Sequence, residues 1–175
     1  MRIVAGELRG RRLAAPADGS IRPTTDKVRE AIFNALASLD VIVDARVADL
    51  YAGTGALGIE ALSRGATHCT FVERARAALA SLNDNIRSLG LGDRARVVAG
   101  DPVTVASRLD VDVVFADPPY GFDDWPRLLA AIGPERVRLV VAEAADPVAA
   151  PAGWEQGRVK RYGRTWVTFL HSAPT

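Results

Sequence analysis

Cysteine, lysine and long apolar runs are all scarce in these 175 residues. The single cysteine, Cys69, cannot build a disulfide framework, which points to a reducing, cytoplasmic setting. It falls inside an apolar stretch and reads as a small buried residue rather than a reactive thiol. No apolar run approaches the ~20 residues that span a bilayer, and the N-terminus lacks the apolar stretch of a secretory signal. The two histidines, His68 and His171, read as a strand residue and a tail residue away from the chemistry, and no metal is called for. Lysine occurs only at Lys27 and Lys160. The remaining cations are arginine, the side chain suited to forked phosphate contacts.

What is present is ordinary for a globular chain with one core: 49% hydrophobic and 25% charged residues. The net charge of +1 hides an uneven distribution. Arg2, Arg9, Arg11, Arg12 and Arg22 crowd the start against Glu7 and Asp18, while Arg158, Lys160, Arg161 and Arg164 stand together with no acid among them. Two basic clusters at opposite ends of the chain predict a polyanionic partner.

The opening "MRIVAGELRGRRLAA" alternates around a glycine-flanked turn and predicts a small hairpin. "RPTTDKVREAIFNALASL" places Val28, Ile32, Leu36 and Leu39 at helical spacing, with Thr24, Thr25 or Asp26 as N-cap. Short apolar strands then alternate with helices: "VADL", "HCTFVE", "ARVVAG", "VDVVFA" and "VRLVVAEA". Two final strands join across Tyr162-Gly163 as an antiparallel hairpin at the sheet edge. The pattern predicts an α/β fold with a seven-stranded, mostly parallel sheet covered on both faces. Its ligand site belongs at the carboxyl ends of the strands.

"DLYAGTGALG" follows the first strand, so Gly53, Gly55 and Gly58 satisfy G-x-G-x-x-G, and Glu73 lies at the end of the second strand. Spacing alone fits a nicotinamide dinucleotide, with the acid on the ribose hydroxyls. Asp49 argues otherwise, because an anion there opposes a pyrophosphate and welcomes a ligand with ammonium and sulfonium groups. S-adenosylmethionine is such a ligand, its carboxylate facing the glycine-turn amides at the helix N-terminus. Glu73 then takes the ribose diol and Asp101 the adenine amine, with a helix N-cap as the alternative role for Asp101.

"ADPPYG" closes the fourth strand beside the same mouth. Its two prolines stiffen the turn and fix the direction of its carbonyls. An exocyclic base amine is a poor nucleophile because its lone pair is delocalised, and it must pyramidalise to attack a methyl group. The Asp117 carboxylate and Pro118 carbonyl can hold its two N–H bonds out of the ring plane, Pro119 locks the turn, and Tyr120 can stack on the base.

These residues resemble the class I amino-methyltransferases that carry the [DN]PP[YF] motif. More narrowly, "RIVAGELRGRRL", "RPTTDKVREAIFNAL" and "DLYAGTGALGIEALSRGA" with "DPPY" resemble the bacterial small-subunit rRNA guanine-N2 methyltransferases of the RsmD type. The resemblance implies a Rossmann-like class I methyltransferase fold, with S-adenosylmethionine bound by Asp49, Gly53, Gly55, Glu73 and Asp101. It implies Asp117, Pro118, Pro119 and Tyr120 as the acceptor motif, and methylation of guanine 966 of 16S rRNA in an assembling small subunit. Residues 1–20 would be an RNA-gripping hairpin carrying Arg2, Arg9, Arg11 and Arg12, and residues 21–175 the methyltransferase domain. Arg22, Thr24 and Thr25 would lie near the active site. The expected protein is a cytoplasmic monomer with no membrane partner. A DNA adenine-N6 methyltransferase, an NAD-dependent oxidoreductase and a non-catalytic RNA-binding assembly factor are the competing readings.

Overall fold

A computed structural model describes residues 1–16 and 25–174 of the chain. The boundary expected near residue 20, and the roles expected of Arg22 and Thr24, lie outside the described residues. The elements run α1 (Asp26–Ser38), β1 (Arg46–Leu50), α2 (Ala56–Ser63), β2 (His68–Glu73), α3 (Arg76–Ser88) and β3 (Ala95–Ala99). They continue with α4 (Pro102–Ala106), β4 (Val113–Ala116), α5 (Trp125–Ile132), β5 (Leu139–Ala144), β6 (Trp154–Tyr162) and β7 (Thr165–Ser172).

These strands form one sheet in the order β3-β2-β1-β4-β5-β7-β6. The first five pair in parallel, and β7 and β6 add antiparallel at one edge. Successive residues of the central strands feed opposite faces. Val47, Phe115 and Val141 join the core under α1, α2 and α3, whereas Ala48, Ala116 and Ala142 join the core under α4 and α5. Phe33 of α1 packs on Phe115 with ring centroids 5.5 Å apart. The chain builds outward from β1 through β2 to β3, then returns to lay β4 and β5 on the other side of β1. A crevice therefore opens between β1 and β4 at their carboxyl ends, the switch point where such sheets hold ligands.

Thr25 is the cap of α1, its hydroxyl accepting from the Val28 amide at 3.3 Å. Val28, Ile32 and Leu36 are buried as the spacing predicts, but Leu39 is 45% exposed. It sits at the C-cap, where the chain leaves the helix into a turn with positive φ at Asp40, so the helical face no longer directs it inward. His171 is likewise no tail residue: it lies in β7, in register with Leu139 on one side and Glu155 on the other.

The opening hairpin is reduced to a single antiparallel bridge, Arg2 to Arg12, wrapped around turns. Ile3 and Leu13 are buried in the same core as the sheet. Side chains of the domain satisfy much of its backbone. Glu60 accepts from the amides of Val4 and Ala5 at 2.9 and 3.0 Å, and Asn85 bonds both the amide and carbonyl of Ala14. The Ser63 hydroxyl takes the Leu8 amide and donates to Ala5. Glu60 itself is fully buried, paired with the fully buried Arg29 at 3.4 Å and with Arg64 at 2.8 Å. Arg29 also donates to the Arg2 carbonyl.

Candidate active site at the strand ends

The loop after β1 is shaped by its glycines. Gly53 and Gly55 hold φ of 57° and 83°, a region that L side chains rarely adopt. Gly58 is needed for a different reason. A Cβ there would lie 2.3 Å from the Phe71 ring and 2.5 Å from Cys69 Sγ, so its absence lets α2 press onto β2.

The amides of the three glycines have partners within the protein. Gly53 N–H donates to Glu73 at 2.9 Å, Gly55 N–H to the Ala52 carbonyl at 2.7 Å, and Gly58 N–H to Asp49 at 2.9 Å. Two of them fold back on the acids at the ends of β1 and β2, and the third closes a turn on the Ala52 carbonyl. The loop is thus preformed, and what the glycines give a ligand is room for close approach.

Asp49 is 2% exposed and caps the first turn of α2 from the neighbouring strand, in place of the side chain that Gly55 lacks as N-cap. Burial pushes its carboxyl well above the usual carboxylate range; the Gly58 amide partly opposes this, and Asp117 and Glu73 add repulsion. Glu73 also accepts from the amides of Arg74 and Ala75 at 2.8 Å. Tyr51 is held at a φ of 61°, and burial and the charge of Asp101 push its hydroxyl up to about 12. Its ring meets Phe122 edge-on at 5.7 Å, and Phe122 meets Trp125 at 5.3 Å.

A cavity of about 1010 Å³ occupies the crevice. It brings together Asp49, Gly53 and Glu73 with all four residues of the Asp117–Tyr120 turn. Such a volume is at the upper end for a small-molecule site and leaves room for two ligands side by side. Tyr120, which also lines the cavity, is 65% exposed. Gly55 shapes the loop from behind, where a Cβ would strike Leu82 at 2.5 Å. Asp101 lies outside the lining, represented there by Pro102. Its carboxylate caps α4, accepting from the Thr104 amide and hydroxyl at 2.9 and 3.0 Å, and these bonds hold its carboxyl below the usual range. Arg2 and Arg11 donate to the carbonyls of Gly10 and Ser88, and all four arginines of the opening segment are exposed.

Of the other lining residues, Glu143 carried no signal in the sequence, whereas Lys160, Arg161 and Arg164 belong to the basic cluster noted there. Lys27 enters from α1, Glu143 from the end of β5, and Lys160 to Thr165 from the β6–β7 turn. The strand-end position that singles out Asp49 would have singled out Glu143 by the same rule. Among the described residues no group of acids, histidines and cysteine has the arrangement of a metal site, and no helix is long and apolar enough to cross a membrane.

The donor set fits S-adenosylmethionine. A buried carboxylate whose charged neighbours are both anions favours a cationic ligand, and the preformed loop beside Glu73 favours a ribose over a pyrophosphate. Comparison with known proteins agrees. The family described as Conserved hypothetical protein 95 matches residues 1–171. The ribosomal RNA small subunit methyltransferase D of Escherichia coli K12 is 45% identical over 122 residues, covering 69% of this chain and 60% of that protein. Its namesake in Haemophilus influenzae is 31% identical over 174 residues, covering 93% of this chain and 89% of that one. The solved structure of yhhF from Escherichia coli superposes with a TM-score of 0.85 at 34% identity, over 100% of this chain and 99% of the other. The fold is therefore the Rossmann-like class I methyltransferase fold, and the chain belongs to the ribosomal RNA small subunit methyltransferase D family.

Proposed function

We propose that the protein transfers a methyl group from S-adenosylmethionine to the exocyclic N2 amine of a guanine in small-subunit 16S rRNA, guanine 966 by family resemblance, as the 30S subunit assembles. The observation that carries this reading is the shared cavity: the acceptor turn Asp117–Tyr120 lines the same space as the buried Asp49 and the glycine loop.

The cofactor supplies an electrophilic methyl carbon on a sulfonium. Asp49 faces its ammonium group, Glu73 its ribose hydroxyls and Asp101, from the rim, its adenine amine. The target base leaves its stack to enter the cavity, as base-modifying enzymes require. Tyr120 stacks on it, while the Asp117 carboxylate and Pro118 carbonyl accept the two N–H bonds of the amine. That grip turns the nitrogen lone pair out of the ring plane and towards the methyl carbon. With S-adenosylmethionine bound, the nitrogen would take the methyl carbon as sulfur releases it, and Asp117 or water would take the proton that the nitrogen then loses. Alignment of the reacting atoms supplies most of the acceleration.

The exposed Arg2, Arg9, Arg11 and Arg12, with Arg22, hold RNA phosphates, and the protein works as a cytoplasmic monomer. Asp117→Ala is expected to abolish methyl transfer and leave RNA binding intact. Mass spectrometry of rRNA from cells carrying either version, or neither, measures this; equal N2-methylguanosine in the two versions overturns the reading.

A further inference from the structure

We infer that Glu143 reads the edge of the target base, accepting the N1–H of guanine and turning adenine away; this rests on the guanine-N2 reading above. The acceptor turn cannot make that choice. Guanine and adenine both offer an exocyclic amine with two N–H bonds, so Asp117 and Pro118 would grip either. The bases differ at the neighbouring ring nitrogen, which carries a proton in guanine and a lone pair in adenine.

Glu143 stands where that atom would come. It is 4% exposed and lines the same cavity as Asp117. Ala116 of β4 pairs with Ala142 of β5, so Asp117, the first residue past β4, and Glu143 of β5 come next in the two adjacent chain segments. Ala142 packs into the core under α4 and α5 and Val141 into the opposite one, so alternation along β5 turns Glu143 to the face of Val141. Neighbouring strands lie ~4.8 Å apart, which sets two acceptors side by side along one base edge. On its other flank Glu143 pairs with Val167 of β7, and Thr165, two residues along that strand, also lines the cavity. An ionised carboxylate offers only acceptors, so it attracts the guanine N1–H and repels the adenine N1 lone pair. A site built around a substrate N–H discriminates against an analogue that lacks it far more strongly than a site built on shape alone.

The test compares two RNA substrates, the natural sequence and one with 2-aminopurine at the target position. 2-Aminopurine keeps the amine to be methylated but carries a lone pair at N1. The wild-type protein is expected to prefer guanine. In Glu143→Gln the side-chain amide can donate to N1 of 2-aminopurine, so the guanine preference should fall by about 10- to 100-fold, the factor that one charge-assisted hydrogen bond commands. Both substrates are read on one protein sample, so any loss of folded enzyme cancels from the ratio. Glu143→Asp keeps a carboxylate and should keep the preference while transfer slows. An unchanged ratio in Glu143→Gln, or equal loss in the Gln and Asp variants, overturns the proposal. A wild-type protein that places no methyl on guanine N2 removes the underlying reading instead, and the proposal with it.

Discussion

Asp49 caps α2 and, in the proposed reading, also faces the cofactor, two tasks that oppose one another. As a helix cap it needs only an acceptor for the Gly58 amide, which a neutral amide side chain would supply equally well. As a cofactor contact it must carry charge in a buried setting that disfavours charge. Its folded pKa is raised, so its contribution to stability is complete below the unfolded value near ~4 and is lost as pH rises through the folded value. Asp49→Asn removes that dependence. The variant is expected to lose less melting temperature than wild type as pH rises from ~4, while its affinity for S-adenosylmethionine falls at least about tenfold, as for one buried charge-assisted bond. Thermal melts across pH and calorimetric titration with the cofactor measure the two effects separately. Unchanged cofactor affinity would relegate Asp49 to a helix cap.

At the scale of elements, the opening segment owes its shape to α2 and α3 rather than to its own pairing. Glu60 is the centre of this attachment: its carboxylate takes two segment amides and faces Arg29 and Arg64. Glu60→Gln leaves the fully buried Arg29 guanidinium without its buried counter-charge, a change that costs ~3–5 kcal/mol. Urea denaturation should show that loss, and hydrogen exchange should show the amides of Val4 and Ala5 opening well before the sheet. Sequence spacing gave no hint of this, because the partners are 31 residues apart and pair only in the folded chain. The signal that did exist was one glutamate in a helix whose eight residues are otherwise apolar or small, all of them buried. Elements governed by local pattern were legible, from the alternating strands to the glycine loop. Leu39 and His171 were misread because each lies where an element ends or begins beyond its periodic stretch. Glu143 was passed over because one acid ending an apolar strand resembles a turn residue until its neighbours are placed.

For the molecule as a whole, a net charge of +1 gives little overall attraction for RNA, so the basic clusters carry the charge available to phosphates. Two clusters remain after folding. The β6–β7 turn brings Lys160, Arg161 and Arg164 to the cavity wall, within reach of whatever nucleotides surround a base bound there. The opening segment carries Arg9 on an exposed turn clamped to α2 and Arg12 at the bridge to Arg2, a platform suited to more distant phosphates. Rigid attachment matters because each arginine then contributes a contact without first ordering the backbone beneath it. Replacing Arg9 and Arg12 together with alanine is expected to weaken RNA binding across all sequences and to flatten its salt dependence. The slope of log affinity against log salt should fall by ~1.4–1.8, since each lost phosphate contact removes ~0.7–0.9. Binding measured between low and physiological salt gives the slope, while cofactor affinity by calorimetry should not move. If the slope stays as it is in wild type, the phosphates are held at the cavity wall, and the opening segment serves the fold through Glu60 and Asn85 rather than the RNA.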